Sequence, residues 1–409
     1  MRLLVASCAS LTVFLASASA LAVEDDLPVA SEPPRIVPVV VADTYYAIHD
    51  PGPATRTATF ATSASRHNEI AVNLLAIGAR LEHAKLTGAA VIHMGTSVDA
   101  LYDGSPVSSR REVWKHIQLA NVGWKTGDFH LEAGVLPSTV GRESFVSSDN
   151  WNYTRAFIAD ATPYYVTGIR ATWRFLPTMS AAVTAFNGWD THGDRNSHKS
   201  GMLRFSWFPS EKLTVDNNFT AGVEQVLVEG QKAPVRLFND LVIAYQVHNR
   251  VSLALEGFVG SERNLDVEDR RKGTATQKSV LRNPSYYGAA LWARWQFADS
   301  TFVALRGEGL DDAAGILTGR GARAHDAPDK GPAPGQRLLA GTVTLGWQPH
   351  PKFLARVEAM HRTSSERYFA GGGQLSHDET IAETGQVTTF VSEARKSSTT
   401  FVLSATFSY

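Results

Sequence analysis

Charged side chains in this chain recur at alternate positions within short apolar segments. Along Lys352–Arg362, Arg356, Glu358 and Arg362 oppose Phe353, Ala355, Val357 and Ala359. Along Thr301–Leu310, Arg306 and Glu308 oppose Val303 and Leu305, and along Thr167–Phe175, Arg170 and Arg174 oppose Ile169, Ala171, Trp173 and Phe175. Guanidinium and carboxylate groups in rows of this kind do electrostatic work: they orient water, ions and polar chains, and they break no bonds. Bond-making chemistry is poorly represented. There is no Gly-x-Ser-x-Gly, no His-Glu-x-x-His and no Cys-x-x-Cys. His49, His67 and His377 stand near expected loops without a paired nucleophile, and His192, Asp194 and His198 form the best metal cluster, of a kind polar loop tips often show. Gly371-Gly372-Gly373 is followed by neither a helix signal nor a phosphate-binding lysine and reads as a flexible loop. No catalytic residue, cofactor site or metal site is therefore assigned.

The element that presents such rows is a strand, because side chains on an extended chain alternate between two faces. Leu213–Glu224 sets Leu213, Val215, Phe219 and Val223 against Asp216 and Glu224. Thr399–Tyr409 sets Phe401, Leu403, Ala405, Phe407 and Tyr409 against Thr400, Ser404, Thr406 and Ser408. Segments of this character predict about sixteen strands, near 39–48, 68–82, 86–98, 111–124, 128–136, 164–176, 179–188, 199–208, 213–224, 235–247, 250–261, 285–297, 300–310, 338–348, 352–363 and 397–409. The gaps between them alternate. Thr126-Gly127, Pro177-Thr178, His248-Asn249 and Ala298-Asp299 are tight turns, whereas 137–163, 262–284, 311–337 and 364–396 are long and polar. Short turns at one end, long loops at the other and an even strand number describe an all-β, antiparallel up-and-down transmembrane barrel. Trp124, Trp173, Phe175, Trp207, Phe208, Trp295, Phe297, Trp347 and Phe353 sit beside the short turns, as an aromatic girdle at a membrane boundary would. A soluble secreted β-sandwich also alternates, but its long loops need not share one end. No stretch after the first residues reaches the roughly 18 apolar residues of a spanning helix.

With apolar residues turned to lipid, the inward set contains Asp43, His93, Glu132, Arg170, Arg174, Arg204, Asp216, Glu224, Asp240, Glu256, Arg294, Arg306, Glu308, Arg356, Glu358 and Arg362. An Arg or Lys facing lipid at the midplane would cost roughly 2–4 kcal/mol, and a dry core holding so many charges would also be costly. About sixteen strands enclose a lumen too wide for side chains alone to fill, so these residues are pore-lining candidates around water. The alternative is a narrow lumen plugged by Arg–carboxylate pairs. The third long loop, 137–163, carries Arg142, Glu143, Asp149, Arg155 and Asp160 with Trp151 and Tyr153. It is expected to fold inward as a constriction, its acids facing inward arginines, rather than to pack over the mouth or against a neighbouring subunit.

The N-terminus sets the compartment. Met1-Arg2, an apolar run to Leu21 and Ala20-Leu21-Ala22 before Glu24-Asp25-Asp26 form a cleavable secretory signal peptide, residues 1–22. Residues 23–38, with Pro28, Pro33, Pro34 and Pro38, read as a periplasmic tail, and 39–409 as the barrel. The one cysteine, Cys8, leaves with the signal, so no disulfide, thiolate metal site or cysteine nucleophile remains. A net charge of −1 gives no general attraction to nucleic acid.

Two stretches carry a family resemblance. Val41-Ala42-Asp43-Thr44-Tyr45-Tyr46-Ala47 with His67-Asn68-Glu69-Ile70-Ala71-Val72-Asn73-Leu74 forms the opening. Leu131-Glu132-Ala133-Gly134, Asn152-Tyr153-Thr154-Arg155, Thr167-Gly168-Ile169-Arg170-Ala171-Thr172 and Phe186-Asn187-Gly188-Trp189-Asp190 form a more specific core. Together they resemble the OmpL-like β-barrel porin family, the β-barrel porin-2 group, over Val39 to about Glu224, and by pattern beyond. The resemblance implies an outer-membrane porin passing ions and small hydrophilic solutes by passive diffusion, with no catalytic residues. A structural or adhesive barrel and a barrel enzyme of lipase or protease type are the alternatives. Expected partners are outer-membrane lipids and lipopolysaccharide; Gly319-Arg320-Gly321-Ala322-Arg323 could touch lipopolysaccharide phosphates, but a solvated charged loop is its default reading. The barrel assembly machinery is expected to act through C-terminal Phe407 and Tyr409, the latter standing where such barrels usually end in phenylalanine. Homotrimer and monomer are both open. Inward arginines and acids nearly balance, so the sequence assigns no ion preference.

Overall fold

The computed structural model describes residues 33–409 except 54, 103–108, 190–195, 197, 225–232, 264, 269–278, 313–314, 319–334, 372, 377–379, 382–384, 387–388 and 393. The expected signal peptide, most of the expected tail, His192, Asp194, His377 and Gly319–Arg323 lie outside the described residues.

Among the described residues sixteen strands form one closed barrel, and short strand pairs in the long loops stand apart from it. The barrel strands are β1 (Arg35–Asp50), β2 (Ile70–Glu82), β3 (Leu86–Met94), β4 (Ile117–Thr126), β5 (Phe129–Pro137), β6 (Tyr165–Leu176), β7 (Met179–Phe186) and β8 (Ser200–Ser210). The second half comprises β9 (Leu213–Gly222), β10 (Val235–His248), β11 (Val251–Arg263), β12 (Ser285–Ala298), β13 (Thr301–Asp312), β14 (Gln336–His350), β15 (Phe353–Ser364) and β16 (Ser397–Ser408). Each pairs antiparallel with its neighbour in sequence, and β1 closes the sheet by pairing with β16 over Val41–Asp50. Closure leaves no unpaired edge, the condition for a sheet to stand in lipid. Every segment expected from period-two alternation is present.

The barrel is apolar outside and polar inside. On β16, Phe401, Leu403 and Phe407 are exposed on the outer face, while Thr400, Ser404 and Thr406 are buried on the inner one. Five tryptophans (Trp124, Trp173, Trp207, Trp295 and Trp347) are exposed beside the short turns. The chain ends meet at that same end, where Val40 and Tyr409 exchange backbone hydrogen bonds of 3.0 and 2.8 Å.

Three sequence expectations need correction. The first strand begins at Arg35, so Arg35–Pro38 belongs to the barrel and pairs with Ala79–Glu82 instead of the tail. Pro38 concealed this. The Val40 amide points at Tyr409, so the ring of Pro38, two residues earlier, faces the side beyond the last paired residue of β16, where no donor is required. The strands expected at 86–98 and 111–124 are each shortened by a helix, α1 (Thr96–Tyr102) and α2 (Ser109–Trp114). β3 stops at Gly95, which has φ +131° and packs so closely that a Cβ there would lie 2.5 Å from the Asn73 carbonyl oxygen.

Candidate functional site

Side chains facing the interior belong to alternate positions of the strands, and at mid-height they meet protein. The segment between β5 and β6, residues 138–164, leaves the wall and crosses the lumen, with a short helix α3 (Phe157–Ala161) near its end. A chain crossing an interior has no sheet partner for its amides and carbonyls, and each such group left unpaired is costly. The wall supplies the partners. Asp240 accepts from the Gly141 amide at 2.9 Å and Glu256 from the Arg142 amide at 3.0 Å. Glu358 accepts from the Tyr153 and Thr154 amides at 2.5 and 2.8 Å, and Glu308 from the Phe157 amide at 2.5 Å. Asp43 accepts from the Ser147 hydroxyl at 2.8 Å and the Tyr153 hydroxyl at 3.2 Å.

Wall arginines serve the opposite polarity. Arg356 donates to the carbonyl oxygens of Ser147, Asn150 and Asn152 at 2.8, 3.2 and 3.3 Å. Arg306 donates to those of Thr154 and Arg155 at 2.5 and 3.2 Å, and pairs with Glu308 at 2.9 Å. Carboxylates for amides and guanidiniums for carbonyls: the inward charges of β10, β11, β13 and β15 form a template for this loop's backbone, and Asp43 of β1 holds two of its hydroxyls.

The loop's own charges point back at the wall or at each other. Glu143 accepts from Trp292 Nε1 at 3.0 Å, Arg306 at 3.2 Å and the Ala156 amide at 2.6 Å. Its contact with Arg306 is direct, so at this height acid and arginine do not face one another across water. Arg142 lies between Trp151 and Trp292, 4.0 and 5.1 Å from their ring centres. Burial lowers it to about 10, against the pull of Glu143 and Glu256. Arg155 stacks on Phe145 and donates to Thr62 Oγ1 at 2.7 Å. Asp160 accepts from the Thr62 hydroxyl and amide, and burial pushes it up to about 6 against the opposing pull of Arg155. Burial likewise raises Asp149, opposed mainly by its hydrogen bond with Ser144.

The remaining candidates sort by depth. Glu224 accepts from the Trp189 amide at 2.7 Å and the Ser200 hydroxyl at 2.6 Å near the long-loop end. Arg362 donates to the Thr59 and Phe60 carbonyls of the loop between β1 and β2. His93 is buried, with Nε2 2.9 Å from the Lys115 carbonyl. Toward the short turns stand Glu132, Arg174, Arg204, Asp216 and Arg294, with buried Arg170 above Arg174 on the same face of β6. Arg204 pairs with Asp216 at 2.7 Å, Arg170 donates to the Pro137 carbonyl at 2.6 Å and Thr184 Oγ1 at 3.3 Å, and Arg294 lies over Phe302 at 4.3 Å. Glu132, Arg174, Arg204 and Arg294 are half-buried, whereas the mid-height groups are buried.

Sequence reasoning missed three contributors. The loop between β1 and β2 forms a second layer, its Thr62 and Ser63 bonding Arg155. It is shaped by left-handed residues at Arg56, Phe60, Ala64 and Asn68, which announce nothing in the sequence. Trp292 shares the inward parity of Arg294, but an apolar ring reads as lipid-facing until the loop is there to receive it. The buried pair of Arg236 with Glu262, on the inner face of β10 and β11, was recognisable only by register. Among the described residues no cluster of His, Cys, Asp and Glu could hold a metal ion.

A family model described as "Putative beta-barrel porin-2, OmpL-like" matches residues 40–408. No curated protein sequence matches the chain. The barrel is similar to an anion-selective porin from Comamonas acidovorans (TM-score 0.55, 9% identity, covering 92% of this chain and 100% of that one). It is also similar to outer-membrane-expressed OmpT of Vibrio cholerae (0.53, 8%, 93% and 99%) and to the outer membrane channel DcaP of Acinetobacter baumannii (0.53, 8%, 92% and 97%).

Proposed function

Because the chain belongs to the OmpL-like β-barrel porin-2 family and is an outer-membrane porin, we propose that it passes ions and small hydrophilic solutes by diffusion, gated by the loop 138–164. The carrying observation is the matched set of bonds between wall and loop. Five wall carboxylates (Asp43, Asp240, Glu256, Glu308 and Glu358) and two wall arginines (Arg306 and Arg356) hold the loop across the lumen. Asp43, Asp240, Glu256, Arg306, Glu308, Arg356 and Glu358 then line the open pathway once the loop lifts, and Arg142, Glu143, Asp149, Arg155 and Asp160 move with it. Glu132, Arg170, Arg174, Arg204, Asp216 and Arg294 line the approach from the short-turn side, and Glu224 and Arg362 the approach from the long-loop side. Planar-bilayer recording tests the proposal. Deleting residues 142–160 raises single-channel conductance, and an unchanged conductance from a correctly folded barrel overturns it.

A homotrimer is the proposed assembly. Vibrio cholerae OmpT has been solved in a trimer form, and the outer faces of β2–β6 here carry the small side chains Ala79, Ala90, Ala120, Ala133 and Ala171, on which flat surfaces meet closely. Lipid and lipopolysaccharide cover the remaining outer surface in this reading. Exposed Phe407 and Tyr409 on the last strand present aromatic rings to the assembly machinery.

A further inference from the structure

Charges that nearly cancel along the sequence are placed unevenly around the wall. Asp240, Glu256, Glu308 and Glu358 on β10, β11, β13 and β15 are taken up by loop amides. On β6–β8 the inward charges Arg170, Arg174 and Arg204 are all basic. Arg170 (β6) is buried, yet its guanidinium donates only to neutral acceptors, the Pro137 carbonyl and the Thr184 hydroxyl. Glu132, opposite it in register, lies instead beside the His130 ring at 3.6 Å. A guanidinium taken out of water without a carboxylate in contact is costly, and an anion brought by solvent relieves that cost.

The surroundings of Arg170 suit such an anion. Arg174 follows four residues later on the same inward face of β6. Arg204 on β8 shares the register row of Thr172 and Ala182, the inward position midway between Arg170 and Arg174. The intervening strand, β7, offers only Ser180 and Ala182 there, so little side-chain bulk separates the three guanidiniums. β6 and β8 are two strand spacings apart, roughly 10 Å, a gap that two long guanidinium side chains leaning over β7 can close around one oxyanion. Arg204 shares a single Asp216 oxygen through both Nε and Nη2, at 3.0 and 2.7 Å, which leaves further N–H groups for a second acceptor.

We propose that Arg170, Arg174 and Arg204, around the small side chains of β7, form an oxyanion-binding site on the short-turn side of the loop. It admits solutes bearing a carboxylate or phosphate group and gives the channel its preference for anions. This rests on the porin reading, and the test separates the two. Folded barrel in detergent is titrated calorimetrically with inorganic phosphate and, separately, with succinate; the same protein is recorded in bilayers under a potassium chloride gradient.

Wild type binds at least one of the two oxyanions and its reversal potential has the sign of chloride preference. Arg170→Gln weakens that binding by about tenfold, the loss expected for a charge-assisted contact, and moves the reversal potential toward zero. Arg170→Lys keeps part of both, and Arg250→Gln in an exposed turn changes neither. The phosphate and succinate arms tell which oxyanion class fits. Oxyanion binding by a barrel that carries no current supports the site while refuting the porin reading. Current with cation preference, or oxyanion binding unchanged in Arg170→Gln, overturns the site while leaving the porin reading intact.

Discussion

Glu358 on β15 is where wall and loop are most tightly joined, and Glu358→Gln tests the gate with the smallest change in shape. One carboxylate oxygen accepts from the Thr154 amide and hydroxyl, and the other from the Tyr153 amide and Thr344 hydroxyl, at 2.5–2.8 Å for the amides and 2.6 Å for Thr344. Glutamine keeps one acceptor and turns the other into an N–H donor that confronts buried donors. Each hydrogen bond to a charged acceptor contributes about 1.5–3 kcal/mol, and an orphaned buried amide costs about 1–3 kcal/mol. Arg306 also loses a nearby counter-charge. Together these disfavour the seated loop by about 3–5 kcal/mol, the range for breaking a buried ionic contact. At 1.4 kcal/mol per tenfold, the ratio of seated to released loop falls by roughly 10²- to 10³-fold. Planar-bilayer recording reads this as longer open dwell times at unchanged unit conductance. Heat-modifiable gel mobility establishes that the variant barrel is folded, and Glu366→Gln, exposed in the loop after β15, serves as the control. Folded Glu358→Gln channels with wild-type dwell times would refute the idea that these bonds hold a gate.

Three further outcomes follow from the same geometry. Asp160, pushed up to about 6 by burial, holds its proton more tightly in the seated loop than at its ordinary value of 3.8. Its contribution to seating is therefore fully present below about pH 4 and is lost as pH rises through 6; open probability should climb over that interval, and Asp160→Asn should flatten the climb. Leu305 is half exposed on the outer face of β13, so Leu305→Arg should cost about 2–4 kcal/mol in urea unfolding from lipid vesicles; a cost near zero would mean that this face is not in lipid. Gly134 has φ +128° and a Cβ there would meet the Ala120 carbonyl oxygen at 2.1 Å, so Gly134→Val should abolish the heat-modifiable folded band, while Gly307→Ala, with nothing within 4 Å, should leave it in place.

The barrel was legible because the two faces of each strand meet opposite solvents. Ile169 and Trp173 face out while Arg170 and Arg174 face in, and no other structure tolerates that alternation in lipid. Strand ends were less legible where local chemistry overrode the period: Pro38 hid the start of β1, and Gly95 cut β3 short of the helix at Thr96. The path of loop 138–164 left no period to read. A glutamate such as Glu358 has the same sequence signature whether its partner is water or a backbone amide. The sequence could therefore place that charge inside without saying what it holds. The uneven placing of charge around the wall was hidden for a related reason. Arg170 and Glu256 count equally in a balance sheet, and only the folded wall shows that one holds a loop amide while the other donates to neutral oxygens.

The kind of bonding along the loop also bears on how the proposed gate is released. Phe157 and Ile158 on α3 join an apolar cluster with Trp292, Phe258 and Phe238, and burying each contributes about 1.5–3 kcal/mol that water does not replace. Residues 147–154 are held largely by polar bonds, their carbonyls and amides to Arg356, Arg306 and Glu358 and the Ser147 and Tyr153 hydroxyls to Asp43. Water can substitute for every one of those partners, so the net worth of each bond is far below its strength in isolation. Lifting the arc 142–154 rehydrates charges on both loop and wall, which recovers much of the desolvation spent in burying them. Phe145, Trp151 and Tyr153 add apolar contacts along the same arc, and Glu308 and Asp160 add polar ones at α3, so both kinds of hold run the length of the loop. In the proposed gate the polar share is the part that water replaces on release, and it is what separates a reversible closure from a permanent plug.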